Sequence, residues 1–368
     1  MWPWPNTTLF SGHRGSGADT SYSGQSILEN CSLSFAHAAK IGGVDFIELD
    51  VQMSQDGIPV VHHDWTVRVD AVGGSAAAAT SVALRIPVGH MDAEQLRSLA
   101  QLPTRCVCGL SHGARRLYDE CAWAHGKGEA SVGMARNTCS HIGDRTALHK
   151  AAARRLAIFG IDTTPTTMLR VGDTFDGHGL RDGGTGGGIP SLASILSATS
   201  LPRTCGVNIE LKYPTIEEIA LLGLRVPSHS DFVAAVLRVV AIVAPDRRIM
   251  YSSFDPDVAK IARETAPTTT PVLFLTEGDG GAAASDPRLR SFQAALEWAS
   301  EAALDGVVTH VAPVLRAPAE AVAAARERGL ALATYGRQNN ELANVSIQKS
   351  NGVDMIILDD ARVARALM

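Results

Sequence analysis

The sequence predicts an α/β fold: a (β/α)8 barrel of the TIM type with a long insertion after the second strand. Short β-forming apolar runs alternate with helix-like runs, which argues for a parallel sheet. The count comes to eight of each, which argues for closure into a barrel. The alternation breaks once, between Trp65 and Gly188, a span that holds the breaker runs Gly73-Gly-Ser-Ala-Ala-Ala-Ala79 and Asp182-Gly-Gly-Thr-Gly-Gly-Gly188. An open doubly wound sheet is the alternative. Gly12, Gly15 and Gly17 do not help it, because their spacing is not G-x-G-x-x-G.

Thr8 to His13 reads as the first strand and Ser16 to Gln25 as a loop. Glu29 to Ile41 has helical spacing through Leu33, Ala36 and Ala39, and Gly42-Gly43 stops it. The second strand runs from Val44 towards Met53. Within residues 65–188 only Ala147 to Phe159 reads as a helix. Alternation returns after Gly188. Ser191–Ser197 is a helix and Gly206–Tyr213 a strand, Asp231–Val243 a helix and Arg248–Phe254 a strand. Pro256–Glu264 is a helix and Pro271–Thr276 a strand, Pro287–Ala303 a helix and Gly306–His310 a strand. Pro318–Arg328 is a helix and Leu330–Tyr335 a strand, Glu341–Lys349 a helix and Val353–Leu358 a strand, and Asp360–Leu367 closes as a helix. One domain over residues 1–368, with 65–188 inserted in it, is the expected organisation.

Composition narrows the function. An apolar share of 45% suits a globular chain of 368 residues with a sizeable core. A formal charge of −5 argues against nonspecific nucleic-acid binding. No apolar run is long enough to span a membrane, and Met-Trp-Pro-Trp-Pro lacks the basic start of a signal peptide. The six cysteines then read as reduced thiols in a cytoplasmic protein. Cys106, Cys108, Cys121 and Cys139, with His112, His125 and His141, lack the C-x-x-C spacing of a zinc site.

The chemistry centres on Val44 to Asp64. Glu48 and Asp50 lie two apart on a strand, so both carboxylates share one face of an apolar segment. Like charges that lose hydration call for a cation, and an all-oxygen set suits Mg²⁺ or Ca²⁺. Asn208-Ile-Glu-Leu-Lys212 repeats the pattern with Glu210 and Lys212. Barrel active sites lie at the C-terminal strand ends, and neighbouring strands are about 4.8 Å apart. Glu48, Asp50 and Glu210 can therefore share one divalent ion. A carboxylate network around Lys212 without metal is the alternative. Asp56-Gly57 marks a turn, after which His62-His63-Asp64 brings imidazoles near the carboxylates. His62 reads as structural.

His13-Arg-Gly15, Glu29-Asn30, Glu48-x-Asp50, the run from Asp56-Gly57 to His63-Asp64, and Glu210-x-Lys212 occur in this order. The set resembles the glycerophosphodiester phosphodiesterase family, over about His13 to Asp359. Tyr251-Ser-Ser-Phe-Asp-Pro256, Val272 to Gly278 and Ala333-Thr-Tyr-Gly336 look most like its glycerophosphocholine-hydrolysing branch with intracellular members. The resemblance implies hydrolysis of a small-molecule glycerophosphodiester, glycerophosphocholine being favoured, to sn-glycerol 3-phosphate and an alcohol such as choline. It implies a metal on Glu48, Asp50 and Glu210, and His13 and His63 as the general base and acid, with either of them able to start neutral, roles that suit imidazole near neutral pH. Arg14 and Lys212 are the expected phosphate contacts. Glu29 and Asn30 belong near the site, and Cys31 stands where the family usually has threonine. Trp65, Tyr213, Phe254 and Tyr335, at or just past strand ends, are candidates for an aromatic wall around choline. Rival readings are a phospholipase D-like activity on lysophospholipid and a noncatalytic metabolite-binding barrel.

Overall fold

The computed structural model describes residues 7–17, 20–22, 25–73, 80–99, 188–281 and 284–368. The expected helix 147–159 and the Cys106–His141 group lie outside them. The first strands are β1 (Leu9–Gly12), β2 (Thr20–Tyr22), β3 (Gln25–Ile27), β4 (Phe46–Met53) and β5 (Pro59–Val61). They are followed by β6 (Thr66–Gly73), β7 (Thr80–Pro87), β8 (Gly206–Leu211) and β9 (Ile249–Ser253). The last are β10 (Val272–Thr276), β11 (Gly306–His310), β12 (Ala331–Tyr335) and β13 (Met355–Leu358). Eight of these, in the order β1-β4-β8-β9-β10-β11-β12-β13, pair in parallel, and β13 closes onto β1. They are the eight strands expected from sequence.

The period of two sets the layers. Leu9, Phe46, Met250, Leu273, Leu275, Val308, Ala333, Met355 and Ile357 form the cluster inside the barrel. Their strand neighbours, such as Phe10, Ile47, Val207, Phe274 and Ile356, face outward into the larger core under the helices. Strands buried on both faces need continuous apolar runs, which is why these segments read as such.

The helices are α1 (Ser32–Ile41), α2 (Ala93–Ser98), α3 (Leu192–Ser197), α4 (Ile216–Leu222), α5 (His229–Val243) and α6 (Pro256–Thr265). The remainder are α7 (Phe292–Glu301), α8 (Val311–Arg316), α9 (Pro318–Arg326), α10 (Leu342–Asn351) and α11 (Ala361–Arg365). Several details differ from expectation. Helix α2, within residues 65–188, and helix α8, directly after β11, are not among the expected helices. The helix expected from Glu29 begins at Ser32, because Asn30 is left-handed (φ 55°) and Cys31 is extended. Pro287–Leu289 is a separate 3-10 turn, and α7 starts after Ser291, whose side chain accepts from Ala294 N–H. Helix α4 has no buried residue, so it carries no apolar period to read. A Thr215–Glu218 capping box and left-handed Gly223 bound it instead. The loop expected around Ser16–Gln25 contains the β2–β3 hairpin.

Strands β4 and β8 are neighbours although residues 54–205 separate them in sequence. Among the described residues of that stretch, β5 runs antiparallel to β4, and β6 and β7 form a hairpin. Val60, Val67, Val88, Met91, Leu96, Leu99 and Ile189 pack into a small apolar cluster there. Among the described residues, no helix is long and apolar enough to cross a membrane.

The N-terminal end of the barrel carries a repeated latch. Asp45, Asp305 and Asp354 each precede a strand, and each carboxylate accepts the N–H of a residue on the strand beside it. The donors are Phe10 (2.9 Å), Val272 (2.9 Å) and Leu332 (2.8 Å). Arg263 of α6 also donates to Asp305, at 2.7 Å. These bonds satisfy backbone groups at the end of the barrel away from the site.

Candidate active site

Strand parity selects the side chains at the C-terminal mouth. Counting by two from the interior cluster leads from Leu9 to His13, from Phe46 to Glu48 and Asp50, from Leu275 to Glu277, from Ala333 to Tyr335 and from Ile357 to Asp359. On β8, Val207, Ile209 and Leu211 face outward. Asn208, Glu210 and Lys212 therefore face the other way.

The turn after β1 is built for close approach. Arg14 (φ 50°), Gly15 (φ 88°) and Gly17 (φ 81°) are left-handed. This conformation aims the Arg14 N–H at Glu48 Oε2, 2.7 Å away. Ser34 of α1 braces the turn, donating to the Arg14 carbonyl (2.9 Å) and accepting from Ser16 N–H (2.8 Å). The Arg14 guanidinium is buried. One of its nitrogens donates to both oxygens of Glu29 at 3.0 Å, and its Nε lies 3.5 Å from Asp50 Oδ2. Asn30, also left-handed, donates to Asp50 Oδ2 (2.7 Å) and accepts from Asp50 N–H (3.2 Å). Cys31 makes no side-chain cap on α1. Its thiol donates to the Leu28 carbonyl instead.

Glu48, Asp50 and Glu210 each offer a carboxylate oxygen within 4.8 Å of the others. Lys212 Nζ lies 3.3 Å from Glu210 and 3.5 Å from Asp50. Burial and then the charge of Asp50 push the Glu48 carboxyl up to about 8. Burial also raises Glu210, although Lys212 opposes it. Asp50 is held below the usual carboxylate range: burial works against its charge, but His63, Lys212 and Arg14 outweigh it. Glu48 Oε1 is buried and has no hydrogen-bond partner among the described residues. An orphaned acceptor among three crowded carboxylates is what a hard divalent cation would satisfy, so these residues fit one.

Two imidazoles flank this group, each with a carboxylate on Nδ1. His13 contacts Asp359 at 2.7 Å, and His63 contacts Asp64 at 2.8 Å. Their environments pull them apart. Burial and Arg14 oppose the charged form of His13, but Asp359 and Glu48 outweigh them and raise its pKa. Burial, Arg14 and Lys212 push His63 well below its ordinary value. Asn340 holds Asp359 from both sides, donating to Oδ2 (2.7 Å) and accepting from Asp359 N–H (2.8 Å). Gln52 steadies the other histidine's turn by donating to the carbonyls of His62 (2.8 Å) and Asp64 (2.9 Å). Strand β5 ends at Val61, so strand alternation does not extend to His62. The residue is half-buried with its Nε2 shielded from solvent, and that burial lowers its pKa.

Three of the four expected aromatics reach the mouth. The Trp65 ring lies 5.4 Å from Lys212 Nζ, and its N–H donates to Glu218. Phe254 and Tyr335 pack on the interior cluster and meet edge to face at 6.0 Å. Tyr213 is the exception. It follows inward-facing Lys212 and so points outward, stacking on His229 at 4.1 Å and donating to the Pro227 carbonyl. Sequence reading missed Asp359, Asn340, Gln52 and Glu277. Parity from the strand ends would have found Asp359, Gln52 and Glu277. Asn340 is the last residue of a 3-10 turn and leaves no such signal.

The chain is 30% identical to glycerophosphocholine phosphodiesterase GDE1 of Eremothecium gossypii over 98% of its own length and 26% of the fungal protein's, so it spans about a quarter of that relative. It is 30% identical to glycerophosphodiester phosphodiesterase GDPD2 of Arabidopsis thaliana, over 95% of this chain and 74% of the plant protein. A crystal structure of a glycerophosphodiester phosphodiesterase from Parabacteroides distasonis superposes with a TM-score of 0.53 at 15% identity, covering 98% of this chain and 96% of that one. It supports the barrel fold. The model of the glycerophosphoryl diester phosphodiesterase family matches residues 13–363, which hold every polar group of this mouth, and the chain belongs to that family.

Proposed function

We propose that this chain hydrolyses glycerophosphodiesters, glycerophosphocholine being favoured, to sn-glycerol 3-phosphate and the free alcohol. The observation that carries the reading is the convergence of Glu48, Asp50 and Glu210, with orphaned Glu48 Oε1, on two carboxylate-backed imidazoles and the cations Arg14 and Lys212. The names of the fungal and plant relatives support the substrate class.

Arg14 and Lys212 bind and orient the phosphodiester, whose single negative charge suits a guanidinium and an ammonium. One Mg²⁺ or Ca²⁺ on Glu48, Asp50 and Glu210 would offset charge that builds on the phosphoryl oxygens. With Nδ1 of each histidine engaged by a carboxylate, Nε2 is the nitrogen for proton transfer. Of the two, His63 is pushed towards the neutral form and His13 towards the protonated form, which suits them as base and acid. His63 takes the proton of the glycerol hydroxyl beside the phosphodiester, and that oxygen bonds to phosphorus in line. The phosphorus–alcohol bond breaks, and His13 protonates the departing alkoxide. The roles then reverse. His13 takes a proton from water, the water oxygen attacks phosphorus, and His63 returns its proton as the cyclic ester opens. Residues 65–188 form one insertion in this domain, and the protein works in the cytoplasm without spanning a membrane.

Release of choline and glycerol 3-phosphate from glycerophosphocholine, measured with Mg²⁺, with Ca²⁺ and after exhaustive chelation, tests the reading. Metal-dependent release of both products in equal amounts is expected. Full activity after chelation would remove the metal from the account, and folded protein with no release under any ion would remove the substrate.

A further inference from the structure

The barrel mouth has two arcs. Strands β1, β4 and β8 are contiguous and carry His13, Glu48, Asp50, Glu210 and Lys212. On the rest of the mouth, Phe254 and Glu277 directly follow β9 and β10 and Tyr335 ends β12, and the phosphate chemistry does not use them. Phe254 and Tyr335 are packed on the interior cluster, and Glu277 follows inward-facing Leu275 by two residues.

Glu277 is a half-buried carboxylate on an apolar wall, and burial raises its pKa. From the other arc, the Glu210 carboxylate acts on it as a like charge. Among the described residues Glu277 forms no ion pair, and it is not part of the carboxylate group that could hold a metal. The buried Tyr335 hydroxyl faces it, and its hydrogen bonding to the carboxylate opposes that rise without supplying a positive charge. Around them the rings of Phe254 and Tyr335 meet at 89°, and His310 stands edge to face with Tyr335 at 5.6 Å. A half-buried carboxylate on an apolar wall loses part of its hydration with no cation to offset the loss. A substrate cation entering beside it would relieve that cost.

We infer that Glu277, with the rings of Phe254 and Tyr335, forms the subsite for the alcohol half of the substrate and selects a cation that carries no N–H donors, a quaternary ammonium. Such a group has a large apolar skin and a diffuse charge. Aromatic faces attract it, and one carboxylate balances it without a set of directed acceptors. A phosphate on the first arc and a quaternary ammonium on the second suit the two ends of a zwitterionic diester. This assignment rests on the proposed function, whose phosphate half fixes the substrate's orientation.

The test compares kcat and KM for glycerophosphocholine and for glycerophosphoglycerol, whose alcohol is neutral, in the wild-type protein, Glu277→Gln and Phe254→Leu. Both variants should lose about tenfold or more in kcat/KM for glycerophosphocholine, mainly through KM, and stay within about twofold for glycerophosphoglycerol. Choline should inhibit glycerophosphoglycerol hydrolysis by the wild-type protein competitively, and this inhibition should weaken in Glu277→Gln. Equal losses on both substrates, or no loss on either, would overturn the cation subsite and leave the hydrolase standing. A wild-type protein that turns over glycerophosphoglycerol but not glycerophosphocholine would do the same. A folded wild-type protein that turns over neither would overturn the proposed function and this subsite with it.

Discussion

The backbone N–H of Arg14 donates to Glu48 Oε2 at 2.7 Å, so the turn that leaves β1 pins a carboxylate of β4. That bond requires left-handed backbone at Arg14 and Gly15 (φ 50° and 88°). A methyl group on Gly15 would stand 2.5 Å from Ser34 Oγ and 2.7 Å from the Ser34 carbonyl carbon. Gly15→Ala should therefore destabilise the fold by about 1–3 kcal/mol, from strain and displaced backbone together. Denaturant unfolding reads this directly. A midpoint equal to wild type would show that the turn is not constrained as described.

The two histidines should separate by leaving group. His13→Ala and His63→Ala should each lose at least about a hundredfold in kcat on glycerophosphocholine. A glycerophosphodiester whose alcohol is a nitrophenol needs no proton on departure. His13→Ala should recover most of its rate of nitrophenol release, with the cyclic phosphate accumulating because its opening still needs His13, and His63→Ala should not recover. Recovery by His63→Ala instead would exchange the two roles.

The pH profile follows from the two shifts. The proposed base works only when neutral, so the rate should fall as pH drops through the pKa of His63, which lies well below 6.5. The proposed acid works only when protonated, so the rate should fall as pH rises through the pKa of His13, raised above 6.5. Asp359 is a main source of that rise, against burial and Arg14. Asp359→Asn should move the alkaline limb to lower pH, leave the acid limb in place and cut kcat at least about tenfold. An unmoved alkaline limb would detach Asp359 from the chemistry.

At the far end of the barrel, Asp305 joins Val272 N–H and Arg263 at 2.9 and 2.7 Å. Asp305→Ala leaves both donors without this acceptor and should cost about 2 kcal/mol of stability. The Michaelis constant should stay at its wild-type value, because nothing at the mouth is touched. A changed KM with unchanged stability would contradict this separation of the two barrel ends.

Much of the fold was legible because each barrel strand is buried on both faces. Segments such as Val272–Thr276 and Met355–Leu358 have only one reading as continuous apolar strands between helices. The site was legible where two polar residues interrupt such a run with period two, as Glu48 and Asp50 do, or Glu210 and Lys212. It was less legible where a single polar residue follows a strand end. Glu277 and Asp359 look like ordinary loop acids until parity is counted from Leu275 and Ile357. Tyr213 was misread for the same reason: it adjoins Lys212, and adjacent strand residues face opposite ways. Asn340 lay beyond reach, since its contact with Asp359 depends on the chain path after β12.

The most direct measurement is a ³¹P NMR time course of glycerophosphocholine with the wild-type protein and with Glu48→Gln, each with Mg²⁺ or Ca²⁺. The wild-type protein should convert the diester resonance to that of glycerol 3-phosphate, and chelation should stop the conversion. Glu48→Gln should leave the diester intact over the same time. An unchanged diester with folded, metal-supplied wild-type protein, or equal conversion by both proteins, would contradict hydrolysis at the Glu48–Asp50–Glu210 centre.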